Sequence, residues 1–210
     1  KMRIAHILIE NFGIYRNLCE FNFDYDDFKK VTLLKGENGS GKTTLLNSIK
    51  TVLYGPMLMG SQKQNNIKYM NFIDRMLNTE ARKDPFSRYS IEVEMTANLQ
   101  QFSVRFRIIR SWNWVNKKIK EELNIYNEDH LMSEQEIDDF FKIFYRLYPL
   151  ELFELFYLDG EKIDQLSFFD SNIHKLIEST MNIDLFKTLK SDLETYAIKK
   201  HKTKELESLK

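Results

Sequence analysis

Residues 36–43 read Gly36-Glu37-Asn38-Gly39-Ser40-Gly41-Lys42-Thr43, eight residues that fit the pattern G-x-x-x-x-G-K-[ST]. Three of the seven glycines in the chain fall between positions 36 and 41, a concentration that points to backbone shape rather than composition. An apolar stretch at 31–35 (VTLLK) precedes the loop and reads as a short strand. After it, residues 43–54 place Leu45, Leu46, Ile49, Val52 and Leu53 on one helical face, and Gly55-Pro56 closes the run. Between a strand and a helix, such glycines let backbone amides converge on phosphate oxygens, and the helix N-terminus adds partial positive charge. On this reading Lys42 reaches the β- and γ-phosphates of ATP and the Thr43 hydroxyl ligates Mg²⁺. Asn38, Gly39, Ser40, Gly41 and Thr44 complete the cradle. The bland alternative is a glycine-rich turn carrying an incidental lysine.

Working outward, residues 2–10 (MRIAHILIE) predict a strand, and Phe21 and Phe23 alternate with polar residues in another. The spacing predicts a short helix around residues 69–77 within an otherwise irregular 57–87. Residues 90–97 and 102–111 alternate on either side of a turn, which predicts a hairpin, extended by a strand at 122–126. Helices are predicted at 133–147 and around 150–156. From residue 173 a stripe recurs at steps of three and four through Leu185, Leu189, Leu193 and Tyr196, then thins into Lys199-Lys200-His201-Lys202. Such a pattern suits either a helix leaving the body to start a coiled coil or a terminal helix packed on the core.

Composition narrows the function classes. The 210 residues carry 31 basic and 31 acidic side chains, so any contact with DNA has to come from a local patch. With Cys19 as its single cysteine, the chain can form neither an internal disulfide nor a cysteine-based zinc site. No apolar run approaches the ~20 residues of a membrane span, and the start shows no signal-peptide pattern. No membrane partner is expected, and the expectation is an intracellular, cytoplasmic and nucleoid-associated protein. Lys1 precedes Met2 and the sequence stops inside a helical pattern, which suggests one half of a larger protein. Arg105, Arg107 and Arg110 lie on residues 102–111, Arg105 and Arg107 on one sheet face, with Trp112 and Trp114 next and Lys117, Lys118 and Lys120 beyond. They form either a DNA-tracking strip or a solvated face paired with acids such as Glu92 and Glu94; the three lysines are the better DNA contacts.

The longer string 36–46 (GENGSGKTTLL), closing at Leu53-Tyr54-Gly55, resembles the opening of the ABC-type ATPases of chromosome maintenance and break repair, the SMC proteins and SbcC. Residues 9–16 (IENFGIYR) resemble that group's first strand and following turn. The resemblance places Arg16 beside the nucleotide; a solvated turn arginine is the alternative. Residues 156–163 (FYLDGEKI) resemble the F-x-x-D-G-E-K-I element of DndD-type ATPases, which are associated with bacterial DNA phosphorothioation. SMC-type relatives carry glutamine where Asp159 stands, and a carboxylate there can hold Mg²⁺ directly or through water. Two other readings stay open: residues 155–159 as a Walker B strand with Glu161 as catalytic base, or an Asp-Gly turn capping a helix.

The fold class implied is α/β: a P-loop NTPase, an ABC/SMC-type head lobe over residues 2–184 with an antiparallel β subdomain, and a helix at 185–210 starting a coiled coil. Lys42, Asp159 and Glu161 are the expected catalytic residues, with Thr43 and Asp159 at the metal. The partners implied are the C-terminal half of the same head, a homodimer of heads, DNA, and other subunits of a DNA-modification or defence complex. An SbcC-like repair subunit and a nucleotide-gated DNA clamp or scaffold are the alternatives. No strand ending in Asp-Glu and no Leu-Ser-x-Gly-Gly/Gln signature loop stands out, and none of the four histidines sits in a recognisable switch context. Weak hydrolysis by this chain alone is therefore expected.

Overall fold

The computed structural model describes residues 2–23, 32–60, 66–99, 102–116, 118–150 and 152–153, with residues 98, 99 and 102 as backbone only. They fall into two units, 1–142 and 143–210. In the first unit, period-two alternation builds a six-stranded antiparallel sheet: β1 (Met2–Glu10), β2 (Leu18–Asn22), β3 (Tyr89–Leu99), β4 (Phe102–Val115), β5 (Lys118–Asn127) and β6 (His130–Leu131). The spatial order is β2-β1-β3-β4-β5-β6, so only β1 to β3 skips a sequence neighbour's place.

Register sorts the side chains by face. Tyr89, Ile91 and Val93 lie opposite Trp112, Arg110 and Ile108, which in turn face Glu121, Leu123 and Ile125. With Ile7, Ile9 and Met95 these positions form the inner face and are almost wholly buried, apart from half-buried Leu123. The outer face carries Glu92 and Glu94 on β3 with Arg105 and Arg107 on β4, and it is polar, as an antiparallel sheet open to water on one side requires. Between Ile4 and His6 the β1–β3 register shifts, a bulge at which the Ala5 carbonyl instead accepts from the Phe23 amide at 2.9 Å.

The helix α1 (Lys42–Tyr54) lies on the inner face against β3 and β4, burying Leu45, Ile49, Val52, Leu53 and Tyr54 at the spacing the sequence predicts. A 3₁₀ turn, Gly55–Met59, ends it at Gly55-Pro56. The next helix, α2 (Ile67–Met76), starts at Asn66, whose side-chain oxygen accepts from the Lys68 and Tyr69 amides. The last, α3 (Glu134–Leu147), begins with a reciprocal cap: Glu136 accepts from the Ser133 amide at 2.7 Å, and the Ser133 hydroxyl accepts from the Glu136 amide. These hydrogen bonds hold the Glu136 carboxyl below its ordinary range. In the second unit, Phe144 packs its ring on Tyr145 and Tyr148, and the Pro149 carbonyl accepts from the Leu152 and Phe153 amides to open a helical turn.

One expectation is corrected. Residues 32–35 of the predicted 31–35 strand have no regular structure, and Leu33 is 84% exposed. A strand needs a ladder partner for its amides and carbonyls, and none of the described strands pairs with 32–35. The 185–210 helix lies outside the described residues, as do Lys117, Asp159 and Glu161.

Candidate functional site

Residues 36–43 form a tight loop that leads straight into α1. The Ser40 amide donates to the Glu37 carbonyl at 3.2 Å, and Gly39 takes a φ of +82° at the third position of this turn. Gly41, the N-cap of α1, has a φ of +103° and its carbonyl accepts the first helical bond from Leu45 at 2.8 Å. Lys42 folds back over the loop, its ammonium donating to the carbonyls of Gly36 at 2.6 Å and Glu37 at 2.7 Å. An ammonium has three N–H groups, so one remains for a further acceptor.

The donor set left by this folding is the one a polyphosphate needs. Among the described residues, the amides of Gly39, Gly41, Lys42 and Thr43 meet no acceptor, as the opening amides of a helix cannot within the helix itself. No acidic side chain stands in the first turn of α1 to occupy its positive end. Asn38, Gly39, Ser40 and Thr43 are exposed, and Thr44 is half-buried. Gly36 adds the steric side: a Cβ there would stand 2.3 Å from Ser40 Oγ, so the loop closes around a residue with no side chain. For Mg²⁺ the helix start offers the exposed Thr43 hydroxyl; the described residues contain no cluster of three or more acids, histidines or cysteines that could hold an ion.

The turn between β1 and β2 buttresses the loop. Asn11 and Gly13 both take left-handed φ values, +54° and +58°. Asn11 is buried, donates from its side chain to the Arg88 carbonyl at 2.7 Å and accepts the Asn17 amide at 2.8 Å. The Gly13 amide donates to the Met76 carbonyl at 2.5 Å, and the Gly13 carbonyl accepts from the Asn78 side chain at 2.9 Å. Tyr15 then donates its hydroxyl to the Gly41 carbonyl at 3.0 Å. Arg16 is exposed at the end of this turn, where its charge helps hold the Glu80 carboxyl below its ordinary range after the larger contribution of Lys83. The structure thus brings Lys42, Thr43 and Thr44 together with the turn that carries Arg16.

Asn11, Tyr15 and Asn78 escaped the sequence reading. Asparagine at a strand end is a signal for a left-handed turn, but the Asn11–Arg88 and Asn78–Gly13 bonds span 77 and 65 residues and no local spacing encodes them.

A second polar group secures the far end of α1. Arg110, 2% exposed, donates from Nε to the Val52 carbonyl at 2.9 Å and from a guanidinium N–H to Glu121 at 2.5 Å. Glu121 also accepts the Tyr69 hydroxyl at 2.5 Å and the Trp112 indole N–H at 2.9 Å. Burial, and then the charge of Glu121, pushes the Tyr69 hydroxyl far above its ordinary value, so it remains a donor. Arg105 and Arg107, by contrast, are solvated and paired: Arg105 with Glu128 at 3.3 Å and Glu94 at 4.0 Å, Arg107 with Glu92 at 3.8 Å. Arg107 also lies over the Tyr126 ring at 4.4 Å. Lys118 and Lys120 are exposed and, among the described residues, have no acid within salt-bridge distance. No helix among the described residues is long and apolar enough to cross a membrane.

No curated protein matches the chain. Residues 6–210 match the family described as the AAA domain, a span that takes in the β1–β2 turn and the phosphate loop. That family generally uses ATP with Mg²⁺ and hydrolyses it, in keeping with free loop amides and a lysine poised over them. By that match, and by the P-loop geometry of residues 36–43, the chain belongs to the AAA domain family, within the SMC/SbcC-like superfamily of P-loop ATPases.

Proposed function

We propose that this chain is the ATP-binding N-terminal lobe of a DndD-type ATPase that acts on DNA in bacterial phosphorothioation. The observation that carries the nucleotide part is the loop at 36–43: unpaired amides at the N-terminus of α1, with the Lys42 ammonium folded back onto the Gly36 and Glu37 carbonyls. The residues 156–163 (FYLDGEKI) support the DndD branch by resemblance.

ATP with Mg²⁺ supplies the scissile phosphoanhydride. The Lys42 ammonium and the Gly39, Gly41, Lys42 and Thr43 amides neutralise phosphate charge, and the Thr43 hydroxyl holds the metal. Asp159 would share the metal, and Arg16 would approach the nucleotide from the β1–β2 turn. A homodimer of heads completes the site, with the C-terminal half of the head providing the acid-tipped strand and the signature loop. Leu33 and Leu34, 84% and 41% exposed with no ladder partner among the described residues, fit a segment that pairs within such a completed head. DNA is contacted by Lys118 and Lys120 with Lys117, and other subunits of a DNA-modification or defence complex dock on the assembly.

The test is ATP binding and turnover with and without the natural downstream segment, comparing the native sequence with Lys42→Ala. Binding that needs Lys42, with turnover only when the downstream segment is present, is the expected result. Turnover by this chain alone would instead make Asp159 and Glu161 a self-sufficient Walker B pair and overturn the split-head reading.

A further inference from the structure

The Gly41 carbonyl accepts two hydrogen bonds, from the Leu45 amide at 2.8 Å and from the Tyr15 hydroxyl at 3.0 Å. The first starts the α1 ladder; the second comes from another part of the chain. A Cβ on Gly41 would meet Tyr15 Oη at 2.9 Å, Tyr15 Cζ at 3.0 Å and Ile14 Cδ1 at 2.8 Å, so the turn fills the space beside the loop's pivot. The turn itself is tied to the body through Gly13 on Met76, Asn78 on Gly13, Asn11 on Arg88, and the Phe12–Leu77 bridge. The Tyr15 ring is steadied by an edge contact with Phe21 at 5.5 Å.

We propose that Tyr15 is a positioning residue for nucleotide binding, holding the Gly41 pivot so that the phosphate loop stays in the shape that presents its free amides. This deepens the ATP-binding reading above and rests on it. A glycine-rich loop loses much conformational freedom on ordering, and a ligand's apparent affinity falls in proportion to the fraction of loops already competent. A hydroxyl anchored to the rigid sheet raises that fraction before ATP arrives. Burial raises the affinity of the Tyr15 oxygen for its proton, which keeps it a donor at neutral pH.

The experiment is Tyr15→Phe in the full-length protein, which removes one oxygen and keeps the ring. Calorimetric titration with ATP and with ADP is paired with the melting temperature of the nucleotide-free protein. The expected result is roughly fivefold weaker binding of both nucleotides, the size of one neutral hydrogen bond, with a nearly unchanged melting temperature. Unchanged affinity for ATP and ADP would overturn the proposal. So would a fall in affinity that appears only with a matching fall in melting temperature, since a merely structural hydroxyl would behave that way. If the folded native protein binds neither nucleotide, the ATP-binding reading fails first; a native protein that binds while Tyr15→Phe binds equally well sinks this inference alone.

Discussion

Gly13 and Gly60 share a left-handed backbone, with φ of +58° and +68°, yet their surroundings differ. A Cβ on Gly13 would lie 2.3 Å from Thr44 Cγ2, whereas one on Gly60 would meet nothing within 4 Å. Left-handed strain alone costs an alanine about 1–2 kcal/mol. At Gly13 a steric term adds to it, because Thr44 sits on the first turn of α1 and its branched side chain has little room to turn. Gly13→Ala is therefore expected to lose ~2–4 kcal/mol in denaturant unfolding, against ~1 kcal/mol for Gly60→Ala. The same substitution should weaken ATP binding, because the displaced Thr44 neighbours Thr43. Equal losses at both glycines would show that Thr44 moves freely and that the turn does not brace the loop.

Arg110 links elements that the sequence presents separately. It lies on β4, bonds the last turn of α1 through Val52, and meets on Glu121 of β5 a carboxylate already holding Tyr69 of α2. Gly55 is obligatory beside it, since a Cβ there would fall 2.5 Å from the guanidinium carbon. A cation at a helix C-terminus also complements the helix dipole, here in a site shielded from water. Removing one member of a buried pair leaves an uncompensated charge, so Arg110→Met is expected to cost ~3–5 kcal/mol in urea or thermal unfolding. Adding Glu121→Leu should restore part of that, but not all, because Tyr69, Trp112 and Val52 lose their partner. The sequence shows why this cluster was hard to foresee. By strand alternation Arg110 falls on the face opposite Arg105 and Arg107, yet nothing local reveals that the inner face is sealed by α1 and α2. The phosphate loop, the hairpin and α3 were legible because each is written in adjacent residues: glycine spacing, period-two alternation, and the Ser133–Glu136 cap. The 31–35 strand was misread because an apolar run states a preference for burial, while a strand also requires a neighbour, and that information lies elsewhere in the chain.

At the scale of the whole molecule, 31 basic and 31 acidic side chains leave no net field, so any attraction to DNA must be local and its location can be measured. On the outer sheet face, Glu92, Glu94 and Glu128 already neutralise Arg105 and Arg107. Exposed pairs of this kind contribute about 0–1 kcal/mol each to stability, and a paired arginine releases little counterion from a phosphate. Lys118 and Lys120 face solvent at the start of β5 without such partners among the described residues. If they meet the DNA backbone, each displaces close to one condensed counterion. In the full-length protein on duplex DNA, replacing both with alanine should then weaken binding to all sequences alike. It should also flatten the slope of log affinity against log salt by about 2. Replacing Arg105 and Arg107 with alanine should leave that slope where it was. The opposite outcome, a slope sensitive to the arginines and indifferent to the lysines, would shift the DNA path along the outer sheet face towards Arg105 and Arg107 and require the Glu92 and Glu94 carboxylates to give up their partners as DNA binds.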